Sequence, residues 1–319
     1  MDATARIEAD PGKSFLREFE CYWSALPDKA VFGALLAAWV LLFEQFGWTT
    51  SAAGRTGSLF KWMWEKWSDP ANDAGHAKLI PLVVVVLLWI RRQRLAKSVA
   101  GVWVPALALV GLALALHVAG FVVQQPRLSM MAFFFGAWGL VGLVWGWETL
   151  KAAFFPFFIF GFCMPMGGTF ALTLTLPLRQ FAAKATMFIT HDALQMAVAR
   201  SGTNLLDPTG HGYFNCEVAA ECSGIRSFIA LLAISTIFSV LTMKSWWKRG
   251  VMIGLTIPLA LVCNVMRLVA IILTATAFQS RAAGEFIHEW FGYVTYLIGI
   301  GTLLLAARWL REKPLVVPP

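Results

Sequence analysis

The chain alternates between long apolar runs and short polar connections. Apolar runs of roughly 17 or more residues are long enough to cross a hydrocarbon core of about 30 Å. The pattern predicts eight such spans, at residues 31–47, 79–93, 99–123, 130–147, 152–170, 225–243, 250–278 and 289–310. The fifth is interrupted by Pro156, Pro165 and the Gly167-Gly168 pair. We therefore expect an all-α polytopic membrane protein with about eight transmembrane helices.

Residues 171–200 are less apolar than the predicted spans. Charged and polar residues recur there among Phe, Met and Leu at helical spacing, and include Arg179, Lys184, His191, Asp192 and Arg200. This pattern predicts an amphipathic helix that lies along the outer membrane surface or dips into it. The following loop is dense in turn residues, which is compatible with a hairpin. Long loops of this kind are commonly functional.

Composition and charge agree with a membrane protein. Hydrophobic residues make up 58% of the 319 residues and charged residues only 14%, which is more apolar surface than a soluble domain of this size could bury. Lys and Arg concentrate on alternate connections, as eight spans with both termini in the cytoplasm require. This asymmetry and contact with anionic lipid account for the net charge of +8. We predict no binding of nucleic acid.

The polar residues divide the chain into four parts. Residues 1–30 form a cytoplasmic segment without the features of a cleavable signal peptide, so the first span is expected to target the chain. Residues 31–150 contain almost nothing ionisable within their spans and are predicted to be a four-helix scaffold. Residues 151–312, with an outer loop at 171–224, carry the candidate chemistry. A cytoplasmic tail at 313–319 follows.

Three polar residues far apart in sequence are predicted to lie at similar membrane depth. Cys222 and His288 stand at the outer boundaries of the sixth and eighth spans. Arg267 is about 24 Å from the cytoplasmic start of the seventh span, at 1.5 Å per residue, and so lies in its outer third. An arginine within a span costs at least about 2.5 kcal/mol on insertion scales, which favours a functional role.

A cysteine at a helix start is a candidate nucleophile. The helix N-terminus and a nearby cation such as Arg226 lower the pKa of a thiol from about 8.5 and favour the reactive thiolate. Glu217 and Glu221 are candidate substrate-binding residues, although either could instead pair with Arg267. The five cysteines show no CxxC pair and no metal-ligand spacing. We predict neither a metal nor a cofactor.

The ordered motifs resemble those of the exosortase/archaeosortase family of membrane cysteine transpeptidases. They are Glu-Cys-Ser-Gly-Ile-Arg-Ser at 221–227, Asn264-Val-Met-Arg267, and His288. The resemblance covers about residues 150–310. It implies that Cys222 is the nucleophile, Arg267 the stabilising arginine and His288 the acid and base. Arg226 and Asn264 match further motif positions and are expected to contact substrate.

The same resemblance implies the substrate. It predicts exported proteins with a C-terminal sorting signal, which consists of a Pro-Glu-Pro-like motif, one transmembrane helix and a basic tail. Cys222 would form a thioester with the substrate, which an amine or water would then resolve. The resemblance also implies a bacterial inner membrane, with the active site facing the exterior. Membrane lipids are expected partners, and the sequence leaves the oligomeric state open.

Alternatives to this hypothesis remain open at the level of the sequence. A transporter would use Arg267 as an anion site between helices, and an acyl-carrying assembly factor would use Cys222 to hold a lipid-linked or glycan-linked acyl group. A noncatalytic scaffold would keep the fold but lose the combination of Cys222, Arg267 and His288. Cys216, six residues before Cys222, also allows a disulfide that blocks the nucleophile in an oxidising compartment.

Overall fold

The structure is a computed structural model that describes residues 15–50, 55–69, 74–165, 169–217 and 225–310. Among these residues α-helices dominate, and the strands are short. The chain divides into two compact units, with the break between Pro165 and Met166. The predicted helix at 152–170 therefore belongs largely to the first unit, because α8 (Trp147–Ile159) packs with other helices there.

The first unit contains eight helices, two strands and two short 3₁₀ turns within its described part. In chain order these are α1 (Phe15–Ala25), α2 (Lys29–Phe46), β1 (Trp48–Thr50), β2 (Arg55–Gly57), α3 (Leu59–Ser68), a 3₁₀ turn (Gly75–Leu79), α4 (Ile80–Ile90), α5 (Arg92–Lys97), α6 (Ala106–Val122), α7 (Pro126–Trp145), α8 and a second 3₁₀ turn (Phe160–Cys163). β1 and β2 pair as an antiparallel hairpin. Gly146 joins α7 to α8 with a φ of 95°, a conformation that favours glycine.

Aromatic side chains and small residues interlock in the core of this unit. The indole of Trp39 on α2 donates a hydrogen bond to the carbonyl of Phe133 on α7 at 3.0 Å. Gly136, one turn further along α7, lies against the same indole, so that a Cβ at this position would overlap the ring. The packing of α2 on α7 therefore depends on glycine at position 136, which leaves space for the Trp39 indole.

The second unit begins with α9 (Thr169–Met187), which continues into a π-helical turn (Phe188–Ala193). A three-stranded antiparallel sheet follows, in the order β3 (Ala199–Ser201), β4 (Asn204–Leu206) and β5 (Asn215–Glu217). The remaining helices are α10 (Ile225–Thr242), α11 (Trp246–Gly254), α12 (Thr256–Ala277) and α13 (Arg281–Leu310). The hairpin that the turn residues suggested is present as β3 and β4.

Four helical segments are long and apolar enough to cross a membrane within the described part of the chain. They are Lys29–Phe46, Pro126–Trp145, Trp246–Ala277 and Trp290–Leu310. Shorter apolar helices cover Gly75–Ile90, Ala106–Val122 and Phe228–Thr242. The structure supports a multi-pass membrane protein, whereas the count of eight spans stays a prediction.

The start of the last helix differs from the apolar pattern. The eighth span was predicted to begin at residue 289, but α13 begins at Arg281. The first two turns of α13 are polar, and a hydropathy pattern detects only the apolar part that follows. His288 therefore lies inside a continuous helix and not at its start.

Gly136→Ala is expected to lower the stability of the first unit by about 1–3 kcal/mol, the usual range for overpacking a core. Gly111→Ala on α6 is the matched control, because a Cβ at that position would meet open space. Thermal unfolding of both variants in detergent tests this expectation. Equal unfolding midpoints for the two variants would contradict the packing described for Trp39.

Candidate active site

Arg267 lies against the backbone of the neighbouring helix. It occupies the middle of α12, and a Cβ on Gly292 of α13 would stand 3.3 Å from its Cζ atom and 3.4 Å from Nη2. Any side chain at position 292 would therefore crowd the guanidinium. The half-buried Arg267 owes its position to the glycine opposite it.

A stripe of small residues on α13 sets the register of the two helices. Gly284 lies opposite Ala275, and Gly299 lies near Cys263. The Cys263 thiol also donates to the carbonyl of Thr295 at 3.4 Å. α12 and α13 are therefore antiparallel, and close contact extends over about four turns because these positions are small.

The backbone of His288 lies on this same stripe. It is four residues after Gly284 and four before Gly292, and helical neighbours at that spacing share a face. The rise of about 1.5 Å per residue puts His288 about 6 Å along the helix from Gly292. The register thus brings the backbone position of His288 within about one turn of the level of Arg267.

Asn264 is the next polar residue of α12 toward its start. Its side chain is 6% exposed, and Oδ1 is buried with no hydrogen-bond partner among the described residues. Residues three apart on a helix are surface neighbours. Asn264 and Arg267 therefore line adjacent turns of one face, and an unsatisfied buried acceptor favours contact with a ligand that supplies a donor.

The other predicted site residues are described only in part. Cys222 and Glu221 lie outside the described residues, as do 218–220 and 223–224. Arg226 is the second residue of α10, and Glu217 is the last residue of β5, which pairs with Asn204. The possible Cys216–Cys222 bridge and the roles given to these residues stay predictions.

The three-stranded sheet packs directly onto α12. Val198, Leu205 and Phe214 form one buried cluster with Ile272 and Ala275. Cys216, on β5, packs against this cluster and also against the cluster that joins α9 to α12. The strand that leads toward the Cys222 motif is therefore fixed to the helix that carries Arg267.

Asp207 organises the loop between β4 and β5. Its Oδ1 accepts hydrogen bonds from Thr209 N–H at 2.9 Å and Thr209 Oγ1 at 2.6 Å, and Oδ2 accepts from Tyr213 N–H at 3.0 Å. Slight burial raises the pKa of Asp207, but these hydrogen bonds and the charge of His211 outweigh it and lower the pKa. The ionised carboxylate thus holds the loop closed.

Arg179 is a buried cation that the sequence pattern did not identify as a site residue. The pattern placed it on the polar face of a surface helix, but only 7% of the residue is exposed in the structure. It shares one face of α9 with Ala182, Ala183 and Thr186, which are all buried. The spacing of those small residues was the available signal, because small residues mark close helix contacts.

Within the described ranges, no three His, Cys, Asp or Glu side chains form a group that could hold a metal ion. The polar residues around α12 are instead an amide and guanidinium groups. Such groups bind carboxylates, phosphates and carbonyl oxygens.

Comparison with protein families gives a match to the transmembrane exosortases over residues 64–305. This chain belongs to the exosortase family. The matched region begins within α3, well before residue 150, so the family likeness extends through most of the first unit. Neither the curated proteins nor the solved structures gave a match. Membership in the exosortase family suggests a multi-pass membrane transpeptidase.

Asp207→Asn is expected to open the loop of this exosortase-family protein at neutral pH, because an amide cannot replace both acceptor oxygens. In the unsubstituted protein the lowered pKa means that the stabilisation is complete above about pH 4, the ordinary range of aspartate, and is lost as the pH falls through the folded-state pKa. Hydrogen exchange of residues 204–214 measures both effects. Asp192→Asn, at an exposed position, is the control, and equal exchange in the two variants would contradict the role of Asp207.

Proposed function

We propose that this protein is a cysteine transpeptidase that cleaves the C-terminal sorting signal of exported proteins. The signal would contain a Pro-Glu-Pro-type motif, a transmembrane helix and a basic tail. The observation that carries the proposal is the α12–α13 register, in which Arg267 lies against Gly292 one turn from the backbone position of His288. The family match supplies the reaction class.

The proposed first step forms a thioester. The Cys222 thiolate attacks the scissile carbonyl carbon, and a C–S bond forms as the carbonyl oxygen becomes an oxyanion. Arg267 stabilises that oxyanion by a charge-assisted hydrogen bond. When the oxyanion collapses, the C–N bond breaks and His288 gives a proton to the leaving amine. The new C-terminus remains bound to Cys222 as an acyl-enzyme.

The second step releases the product. His288, now neutral, takes a proton from an incoming amine or water, which attacks the thioester carbonyl. The C–S bond breaks, and the thiolate returns. An amine acceptor gives transpeptidation, and water gives hydrolysis. Arg226, Asn264, Glu217 and Glu221 are the proposed substrate contacts.

The proposed location is the bacterial inner membrane, with the catalytic residues facing the exterior. The supporting observations are the apolar helices and the excess of Lys and Arg in alternate connections, which favours the cytoplasm. Exported substrates would reach such a site after translocation. The single transmembrane helix of the substrate would pack laterally against this protein. Membrane lipids would surround the rest of this protein's apolar surface.

Cys222→Ala is expected to abolish processing of a co-expressed substrate that bears a Pro-Glu-Pro-type signal, because the thioester cannot form. Immunoblotting measures processing, and mass spectrometry should find a hydroxylamine-sensitive adduct on Cys222 in the unsubstituted protein alone. Cys163→Ala, at a buried cysteine of the first unit, is the control and should retain processing. Normal processing by well-expressed Cys222→Ala would overturn the mechanism and favour a transporter or a scaffold.

Gly292→Val is expected to lower the processing rate by about tenfold or more, because a displaced catalytic group costs up to about 10²-fold per Å. The added side chain would push the Arg267 guanidinium away from α13. Gly301→Val on the same helix is the matched control, since a Cβ at position 301 meets open space. Equal rates for the two variants, at equal expression, would argue against a role for the Arg267–Gly292 contact.

A further inference from the structure

Arg179 is a buried cation of the second unit, and one of its nitrogens has no described hydrogen-bond partner. The residue is 7% exposed, and its Nε is buried with no hydrogen-bond partner among the described residues. A buried cation that lacks hydrogen bonds is strongly destabilising. Such a group persists when it has a function, and a ligand that neutralises it is the simplest one.

The described carboxylates of this unit do not neutralise Arg179. Only Asp192 and Asp207 have described side chains there. Asp192 is exposed, and Asp207 is engaged by Thr209 and Tyr213 in the outer loop. Neither of these two carboxylates therefore neutralises Arg179, and its Nε lacks a hydrogen-bond partner among the described residues.

The packing of α9 fixes the level of Arg179 relative to α12. Ala182 and Ala183 pack with Val265 and Leu268, and Met187 packs against the cluster that contains Ile272. α9 and α12 therefore run in the same direction along this contact. Since Arg179 precedes Ala182 by about one turn, it lies near the level of residues 261–264 of α12.

Asn264 lies at that same level, on the part of α12 between the faces that contact α9 and α13. Val265 and Leu268 face α9, whereas Cys263 and Arg267 face α13. The helical period of 3.6 residues puts Asn264 between these two stripes. Arg179 on α9 and Asn264 on α12 thus lie at about the same level of two helices that pack together, with Arg267 about one turn further along α12.

The chemistry of Arg179 and Asn264 matches an acidic peptide. Arg179 supplies cationic N–H donors for a carboxylate, and the unsatisfied Oδ1 of Asn264 requires a hydrogen-bond donor, which a peptide backbone carries. A simple carboxylate anion would satisfy the first requirement and not the second. The combination of an unsatisfied donor and an unsatisfied acceptor therefore favours a ligand that carries both groups, as a polypeptide with an acidic side chain does.

We propose that Arg179 binds the carboxylate of an acidic residue in the polypeptide substrate, beside Asn264 where α9 packs on α12. The inference deepens the proposed function and rests on it for the identity of the substrate. The acidic residue is the Glu of the sorting motif. Arg179 is then a specificity residue that recognises the motif beside the reacting bond, and it takes no part in bond cleavage.

The test measures peptide binding to the solubilised full-length protein, in a Cys222→Ala background so that no turnover occurs. Two fluorescent peptides carry the Pro-Glu-Pro-type motif or its Pro-Gln-Pro counterpart. We expect the Glu peptide to bind about tenfold or more tightly, as for a charge-assisted hydrogen bond. Arg179→Met should abolish this preference by weakening binding of the Glu peptide alone. Lys184→Met, at an exposed position of the same helix, should preserve it.

Three results would overturn the inference. The Glu preference could be equal in Arg179→Met and the Cys222→Ala parent, the parent could bind neither peptide, or phosphatidylglycerol could co-purify with the parent and be lost from Arg179→Met. Retained binding of the Gln peptide serves as the control for folding. If Arg179→Met binds neither peptide, Arg179→Lys is tested in its place. The inference then requires that Arg179→Lys bind the Gln peptide normally and show a reduced preference for the Glu peptide.

Failure of the proposed function gives a different pattern. Processing in cells that does not depend on Cys222 would overturn the transpeptidase mechanism, and the binding preference would still report on Arg179. Cys222-dependent processing, combined with a Glu preference that Arg179→Met leaves unchanged, would overturn only the inference about Arg179. The two proposals can therefore fail separately.

Discussion

The close approach of α12 and α13 is the constraint on which the second unit depends. Lipid tails are as apolar as leucine, so helices in a membrane gain little from hydrophobic burial and associate through tight packing. Gly284, Gly292 and Gly299 supply the surface for such packing on α13. One of them, Gly292, also leaves room for the Arg267 side chain. Helix association and the position of the candidate catalytic arginine therefore have one structural cause.

The sheet of β3, β4 and β5 connects this helix pair to the rest of the proposed site. Cys216 packs against clusters that contain residues of both α9 and α12, and the Asp207 network holds the preceding loop. The chain then continues toward Cys222 and α10. A reactive thiol benefits from such fixed surroundings, because catalytic groups must stay within fractions of an ångström of a productive geometry.

Much of the architecture could be predicted from residue patterns. Apolar runs located most helices, since a spanning helix must satisfy its own backbone and cover itself with apolar side chains. Turn residues suggested the hairpin that appears as β3 and β4. The polar start of α13 was missed because hydropathy reports only the apolar part of a helix. Arg179 was assigned to a surface, since the amphipathic pattern does not say which neighbour covers a face.

The sequence by itself determined the class of the protein, the order of its polar motifs and the candidate chemistry of Cys222, Arg267 and His288, because these depend on residue type and on position along the chain. Only the tertiary structure decided the pairing of Arg267 with Gly292, the burial of Arg179 and the unsatisfied amide of Asn264. Those features depend on which helix faces lie against each other. That choice is made by packing between residues distant in sequence, and no local pattern encodes it.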